Sequence, residues 1–243
     1  TDDLTGVISL FLQNRQVLEE MQGKMSWLSK LGLKFFHRVR RDTLAGSRKN
    51  IAEHYDLGNE FFRLFLDPTM MYSSGVFTSC SDTMEQASIN KMAIICKKLE
   101  LTKDDHLVEI GTGWGGLAIY AAQKYGCRVT TTTISNEQYV HALAMVKEAG
   151  LVDQITVLKQ DYRELSGSYD KLVSVEMIEA VGLDHMPTYL QKCASLLKPN
   201  GTMLLQSITI ADQHYDMASR SVDFIQRYIF PGGALPSVTS LIT

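Results

Sequence analysis

A short apolar strand that runs into a glycine-rich turn and then directly into a helix constrains this chain most. The segment reads LVEIGTGWGGLAIYAA over residues 107–122. Gly111, Gly113 and Gly115 leave the backbone free to turn sharply and allow a ligand to approach closely, and the following helix begins with free N–H groups. Glu109 precedes the first glycine by two residues, and no Gly-Lys-Ser/Thr follows, as a phosphate-binding loop would require. The pattern favours a nucleoside ligand without a pyrophosphate, for which S-adenosylmethionine fits best. Another Rossmann-like ligand or a purely structural turn is the alternative.

Strand-like and helix-like segments alternate after this point. Apolar or β-branched runs lie at residues 106–110, 127–133, 155–158, 171–175 and 203–209, and helical patterns lie at 116–125, 136–149 and 185–197. Such alternation is typical of a parallel, doubly wound sheet. We therefore predict an α/β fold with a mostly parallel, Rossmann-like sheet.

The carboxyl ends of the predicted strands define a candidate site, because ligands of doubly wound sheets bind beyond those ends. Residues 111–116, 132–138, 161–163 and 176–179 should therefore converge on one cleft. The second strand ends in TTTTIS rather than in the acidic residue that usually binds ribose hydroxyls. Thr133 and Gln138 could supply those hydrogen bonds instead.

Charge is distributed unevenly along the chain. The net charge is −3, yet residues 24–49 contain eight Lys or Arg against one acid, Asp42. A basic segment on an acidic body indicates a local anionic partner rather than nucleic acid. Within it, Leu28, Leu31 and Phe35 form one helical stripe. The alternatives are a helix packed on the core with a solvated basic face and a helix lying on a membrane surface.

Cysteine spacing and hydropathy point to the cytoplasm. The four cysteines are far apart, without a CxxC pair or a nearby His at ligand spacing, so we expect neither a disulfide framework nor a metal site. No run approaches the roughly 20 apolar residues that span a bilayer, and no signal peptide is expected. We expect any membrane contact to be peripheral, at the inner face of the membrane.

Six segments, taken together and in order, resemble one family of enzymes. They are YDLGNEFFRLFLDPTMMYSSGVF (55–77), VEIGTGWGGLAIYAA (108–122), TISNEQ (133–138), QDYREL (160–165), SVEMIEAVG (174–182) and RYIFPGGALPS (227–237). The chain resembles the cyclopropane-fatty-acyl-phospholipid synthases and mycolic acid cyclopropane synthases, which are S-adenosylmethionine-dependent lipid methyltransferases. The resemblance extends over residues 48–243. It implies a seven-stranded methyltransferase sheet, and it accounts for the missing acid, since the family's second strand ends similarly.

The resemblance also implies a set of cofactor-binding residues. Tyr162 and Arg163 would lie near the adenine, and Trp114 would either pack on the cofactor side or serve as a structural aromatic at the start of the helix. The remaining residues implied to bind S-adenosylmethionine are Tyr72, Ser73, Glu109, Gly111, Gly113, Gly115, Thr133, Ile134 and Gln138.

In the family a bicarbonate ion lies beside the reacting methyl group. Glu179 and Ile208 match two of the residues that hold it, whereas Ser74 replaces a Cys and Gln206 replaces a His. A further Tyr of the family would fall beyond Thr243. Ser and Gln can still donate hydrogen bonds to an anion, but the capacity to accept a proton at position 206 is lost. For Glu176, a structural role and a position next to the cofactor both stay open.

These observations predict an enzyme that transfers the methyl of S-adenosylmethionine to the cis double bond of an unsaturated phospholipid acyl chain. The product would be a cyclopropane ring or a methyl or methylene branch. The alternatives are a methyltransferase for a small polar acceptor and a catalytically silent lipid- or cofactor-binding module. We expect a basic helical segment at residues 1–49 and a methyltransferase domain at 50–243 whose C-terminal part is missing. The expected partners are acyl chains and an anionic membrane surface, with a homodimer as one oligomeric alternative.

Overall fold

The computed structural model describes residues 2–14, 58–222, 224–230 and 232–242. The chain divides into two compact units, Thr1–Val39 and Arg40–Thr243. The basic segment at residues 24–49, with its predicted helical stripe, lies outside the described residues. Among the residues that are described, no helix is long and apolar enough to cross a bilayer.

The described part of the first unit is helix α1 (Leu4–Gln13). Asp3 caps it, since its carboxylate accepts a hydrogen bond from the Gly6 backbone N–H at 2.7 Å. Its residues Leu4, Val7, Ile8 and Phe11 recur at the spacing of one helix face. Most of its apolar side chains, among them Ile8 and Phe11, are exposed.

The second unit alternates strands with helices, as the sequence predicts. Its elements are α2 (Gly58–Arg63), α3 (Met84–Lys98), β1 (His106–Ile110), α4 (Gly116–Tyr125), β2 (Arg128–Thr133), α5 (Asn136–Glu148), β3 (Ile155–Lys159), β4 (Tyr169–Val175), α6 (Met186–Leu196), β5 (Leu197–Gln206), α7 (Asp212–Ser219), α8 (Phe224–Tyr228) and α9 (Val238–Ile242). Short 3-10 turns lie at Tyr162–Glu164, Ile178–Ala180 and Leu183–His185.

All five strands pair in parallel, in the order β3-β2-β1-β4-β5. The chain moves outward from β1 through β2 to β3, then crosses back and places β4 on the other side of β1. The strand order therefore reverses between β1 and β4. In doubly wound sheets the ligand cleft lies at this switch point, beyond the carboxyl ends of the strands.

Helices cover both faces of the sheet, because alternate strand residues point to opposite sides. Leu107 packs in one core with side chains of α3, α4 and α5, such as Ile95, Leu117 and Val146. Val108, its neighbour in β1, packs in a second core with side chains of α6, such as Tyr189. This arrangement confirms the predicted α/β fold with flanking helices.

The predicted number of strands is wrong for the described residues, which form five strands rather than seven. After β5 ends at Gln206, the chain forms α7, α8 and α9. The only extended pairing described in this region is a single bridge between Ile210 and Ser237. These residues therefore satisfy their backbone groups in helices and turns, and do not add strands beside β5.

Candidate active site

The glycine turn lies at the carboxyl end of β1, where the strand order reverses. Gly111, Gly113 and Gly115 all have positive φ, at 100°, 52° and 96°, where side chains are disfavoured. The backbone N–H groups of Gly111 and Thr112 both donate to the Thr132 carbonyl, at 3.1 and 3.0 Å. A Cβ built at Gly113 would meet no atom of the described residues within 4 Å. The turn is thus tied to β2 on one side and open on the other.

A chain of buried polar side chains supports this turn from below. The Thr131 hydroxyl donates to Glu109 Oε2 at 2.6 Å, and it shares a second hydrogen bond of 2.7 Å with the Thr112 hydroxyl. Glu109 is only 4% exposed, and burial raises the pKa of its carboxyl to about 8. The structure therefore places this predicted cofactor ligand inside the core, where it acts on the cleft through Thr131 and Thr112.

The end of β2 carries the side chains predicted to replace the missing acid. The Thr133 hydroxyl donates to Gln138 Oε1 at 2.8 Å and accepts from the Ser135 backbone N–H at 3.1 Å. Ser135 caps α5 by accepting from the Gln138 N–H. Thr133 and Gln138 are buried, and Ile134 between them is half-buried. The predicted residues meet, but they bond to each other.

An aromatic cluster forms one wall near the turn. The Trp114 ring lies 4.9 Å from the Phe62 ring and 6.5 Å from the Tyr72 ring, measured between centroids. The indole N–H of Trp114 donates to Asn59 Oδ1 at 2.7 Å. Trp114 is buried, whereas Tyr72 is partly exposed and has a pKa raised by burial. Trp114 thus connects the start of α4 with α2, and Tyr72 is the more accessible ring.

Tyr162 and Arg163 follow β3 at the same edge of the sheet. The Gln160 N–H donates to the Thr133 carbonyl, which keeps this segment beside the end of β2. The Tyr162 ring is buried against Tyr189 at a centroid distance of 4.9 Å. Arg163 pairs with Asp161 at 2.8 Å, and its guanidinium lies 5.3 Å from the centre of the Tyr162 ring.

A second polar cluster lies where β4 and β5 end, and it centres on a residue for which the sequence left two roles open. Glu176 Oε1 accepts three hydrogen bonds, from Ser74 N at 3.0 Å, Ser74 Oγ at 2.9 Å and Gln206 Nε2 at 2.8 Å. Glu176 has a φ of 48°, which is uncommon for a residue with a side chain. The two neutral side chains at the expected anion positions therefore converge on a carboxylate of the chain itself.

Sequence reasoning missed Lys91, which is 1% exposed. Its ammonium donates to the Ser73 carbonyl at 2.9 Å and to the Ser73 hydroxyl. Burial lowers the pKa of Lys91 to about 8, while the negative charges of Glu176 and Asp67 favour its protonated form. Lys91 lies on α3 in a segment with no motif, so its only signal in the sequence is a Lys next to the apolar residues of that helix.

Glu179 lies next to this cluster, on the turn that follows β4. Its Oε1 accepts from the Ser207 hydroxyl at 2.9 Å and from the Ile208 backbone N–H. Its Oε2 is buried without a hydrogen-bond partner among the described residues. Burial, assisted by the charge of Glu176, raises the pKa of the Glu179 carboxyl. Ile208 contributes its backbone here, while its side chain is 51% exposed.

The segment at residues 232–237 returns to Glu179. The Ala234 N–H donates to the Glu179 carbonyl at 2.8 Å, and the Ile210 N–H donates to the Pro236 carbonyl at 2.9 Å. This segment therefore holds the turn that carries Glu179. No group of acidic, His or Cys side chains in the described ranges could hold a metal ion.

Comparisons with known proteins identify the family of this chain. The model of a family described as mycolic acid cyclopropane synthetase matches residues 43–243. The chain belongs to this family. The match includes the glycine turn and both polar clusters.

Two relatives and one solved structure illustrate the range of this family. The tuberculostearic acid methyltransferase UfaA1 of Mycobacterium tuberculosis is 41% identical over 81% of the chain and 47% of its own length. The cyclopropane-fatty-acyl-phospholipid synthase of Escherichia coli K12 is 43% identical over 78% of the chain and 47% of its own length. A crystal structure of the mycolic acid cyclopropane synthase CmaA1, complexed with SAH and CTAB, is 32% identical, with a TM-score of 0.74 over 80% of the chain and 71% of that protein. The chain spans about half the length of the curated relatives it matches.

The buried Glu109 carboxyl generates a prediction about stability. Its folded-state pKa of about 8 lies above its ordinary value of 4.5. Between these two pH values, the folded protein retains a proton on Glu109 that the unfolded chain releases. The contribution of Glu109 to the free energy of unfolding is therefore fully present below pH 4.5 and is lost as the pH rises towards 8. We expect Glu109→Gln to be more stable than the wild type at pH 8.5, by an amount on the order of a few kcal/mol, and similar at pH 4.5.

Guanidinium unfolding at several pH values between 4.5 and 8.5 measures this difference. Glu148→Gln, which removes an exposed carboxylate of α5, is the matched control and should follow the wild type throughout. Parallel stability curves for the wild type and Glu109→Gln would show that Glu109 ionises without a cost.

Proposed function

We propose that this protein transfers the methyl group of S-adenosylmethionine to the cis double bond of an unsaturated phospholipid acyl chain. The product is a cyclopropane ring or a methyl- or methylene-branched chain. The observation that carries the proposal is the open glycine turn at the switch point of the sheet. Glu176 and Glu179 follow β4, the strand that neighbours β1 in the sheet. Relatives named for both types of product support the acceptor class and leave the choice of product open.

The glycine turn suits S-adenosylmethionine for two physical reasons. Its exposed backbone at Gly113 lets a nucleoside approach within contact distance, and α4 begins immediately after it. The partly exposed Tyr72 ring provides a face that attracts a sulfonium cation. A nucleoside at the glycine turn would extend over the segments at and after the ends of β2 and β3. These segments carry Thr133, Ile134, Gln138, Tyr162 and Arg163.

The chemistry needs a dry site and a proton acceptor. A carbon–carbon double bond is a weak nucleophile, so it must be held close to the methyl group in a pocket that excludes water. Methyl transfer leaves a carbocation on the acyl chain, which must lose a proton. We assign Glu179 to the part of the site that governs this proton, because its Oε2 is buried and has no described hydrogen-bond partner.

Bicarbonate as the proton acceptor stays a prediction from the family resemblance. Of the predicted contacts of this anion, the Ile208 backbone N–H donates to Glu179. Ser74 and Gln206, the other two predicted contacts, donate instead to Glu176.

The membrane surface is the proposed source of the acyl chain. Leu64 and Phe65, next to the aromatic cluster, are 82% and 49% exposed and offer an apolar contact for it. The basic segment at residues 24–49 would bring the enzyme to the cytoplasmic, anionic face of a membrane. A homodimer stays a prediction.

Vesicle assays test the acceptor and the membrane together. With S-adenosylmethionine, protein expressed from the complete gene should add one CH2 unit to cis-unsaturated phospholipids and none to saturated ones, as measured by mass spectrometry. Binding to anionic vesicles should weaken as salt rises and when Lys30, Lys34, Arg38 and Arg41 are neutralised, since each contributes on the order of 1 kcal/mol near such a surface. Turnover on a small polar acceptor, or cofactor binding without turnover on either, would favour the two alternative functions.

Gly113→Val should abolish S-adenosylmethionine binding, because its side chain would project into the space above the turn. A matched control separates this effect from backbone strain. Gly150 also has a positive φ, of 69°, with no described atom within 4 Å of a Cβ, but it follows α5 away from the cleft. Calorimetry should show normal affinity in Gly150→Val and none in Gly113→Val. Equal affinity in the two variants would remove the turn from the cofactor site.

Glu179→Gln should impair chemistry more than cofactor binding. We expect turnover to fall at least about tenfold, which is roughly 1.4 kcal/mol in the barrier, while the affinity for S-adenosylmethionine stays nearly unchanged. Single-turnover kinetics and calorimetry measure the two quantities, with Glu148→Gln as the control. Full activity in Glu179→Gln would exclude Glu179 from proton removal.

A further inference from the structure

Glu176 is held in place as firmly as a bound anion would be. One of its oxygens accepts three hydrogen bonds, and these come from the loop before α3 and from the last residue of β5. Its own backbone N–H donates to the Gln206 carbonyl at 2.8 Å. Hydrogen bonds to an ionised acceptor are stronger than those between neutral groups, so this geometry favours a carboxylate over a neutral side chain.

The backbone at Glu176 indicates that this placement has a cost. A φ of 48° puts a residue with a Cβ into the left-handed region, which glycine occupies far more readily. Strained residues of this kind persist where the surroundings fix them, and they cluster at functional sites. Here the strain directs the carboxylate between Ser74 and Gln206 at the carboxyl edge of the sheet.

The local charges agree with a negatively charged carboxylate at this position. Lys91 is fully buried, and its ammonium donates to the carbonyl of Ser73, the residue before Ser74. The ammonium also interacts favourably with the negative charge of Glu176. A separate anion between Ser74 and Gln206 would compete with Glu176 for the same donors. It would also meet the like charge of Glu176 at close range.

We propose that the Glu176 carboxylate takes the place of a bicarbonate ion in this protein and itself accepts the proton that the acyl chain loses. This inference rests on the proposed function and deepens it. Ser74 and Gln206 then serve to position Glu176, which explains why neither needs to be a proton acceptor. Glu179, beside Glu176, completes the polar side of the cleft.

The proposed reaction balances without a further reactant. The electron pair of the double bond forms a bond to the methyl carbon. The bond between that carbon and the sulfur breaks, and S-adenosylhomocysteine leaves with the electron pair of the broken bond. A C–H bond then breaks, either in the new methyl group or on a chain carbon next to the cationic carbon, and its proton goes to Glu176. The released electron pair closes the ring if the C–H belonged to the new methyl group, or otherwise forms a new double bond.

Two substitutions at one position provide the activity test. Glu176→Gly opens the space and suits the positive φ, whereas Glu176→Gln fills the space with a neutral group of the same shape. In buffers depleted of carbonate, the wild type should be fully active and should not respond to added bicarbonate. Both variants should lose activity by about a hundredfold or more. Bicarbonate or formate should restore at least tenfold in Glu176→Gly and nothing in Glu176→Gln.

A binding experiment gives a readout that does not need turnover. Titration of 13C-bicarbonate, followed by NMR, should show saturable binding to Glu176→Gly and none to the wild type. Thermal unfolding checks that both variants are folded. If bicarbonate or formate restores activity in Glu176→Gly and not in Glu176→Gln, a general effect of salt is excluded. Saturable bicarbonate binding to the wild type that is lost in Ser74→Ala would overturn the proposal, as would full activity in Glu176→Gln. A wild type that transfers no methyl group to any lipid, yet shows the expected binding pattern, would contradict the proposed function instead.

Discussion

The two hydrogen bonds from the glycine turn to the Thr132 carbonyl fix the geometry on which the cleft depends. They tie the end of β1 to the end of β2 at the point where the strand order reverses. The turn can then leave the sheet with three residues in the left-handed region and deliver the chain into α4. Glu109, Thr131 and Thr112 support it from within the core, so the rigid side of the turn is polar and the open side is free for a ligand.

Three carboxyl groups near this edge show how environment separates the roles of chemically similar residues. Glu109 is buried with one hydroxyl donor, and burial raises its pKa to about 8, which suits a structural group that stays protonated. Glu176 has three donors on one oxygen and a buried cation nearby, which together fix a charged carboxylate in place. Glu179 has donors on one oxygen only and a raised pKa caused mainly by burial, which suits a group involved in proton movement.

The departures from the family pattern become consistent when they are considered together. Ser74 and Gln206 are separated by more than a hundred residues, and each alone is a loss of chemical capacity at an expected anion site. Their shared acceptor is Glu176, which follows the strand between them. A fixed carboxylate needs hydrogen-bond donors that hold it in place. Ser74 and Gln206 are neutral donors and do not compete with Glu176 for the proton that it accepts. Under the proposal for Glu176, these three residues together account for one change in the proton acceptor, while Glu179 and Ile208 keep the positions that the family resemblance implies.

The order of strands and helices, and the glycine turn after the first strand, are predictable from the amino-acid sequence. Periodicity decided the strands and the helices between them, because a parallel sheet covered on both sides demands apolar strands and one apolar stripe on each helix. The turn at Gly111 to Gly115 was predictable because only glycine fits such backbone angles without strain. Which polar groups meet is visible only in the folded chain, since folding and not sequence spacing brings Lys91 to Ser73 and Ser74 to Glu176. It likewise decided that the described residues form five strands and that Glu109 supports the turn from inside, because burial and hydrogen bonding depend on the neighbours that each side chain acquires in the folded chain.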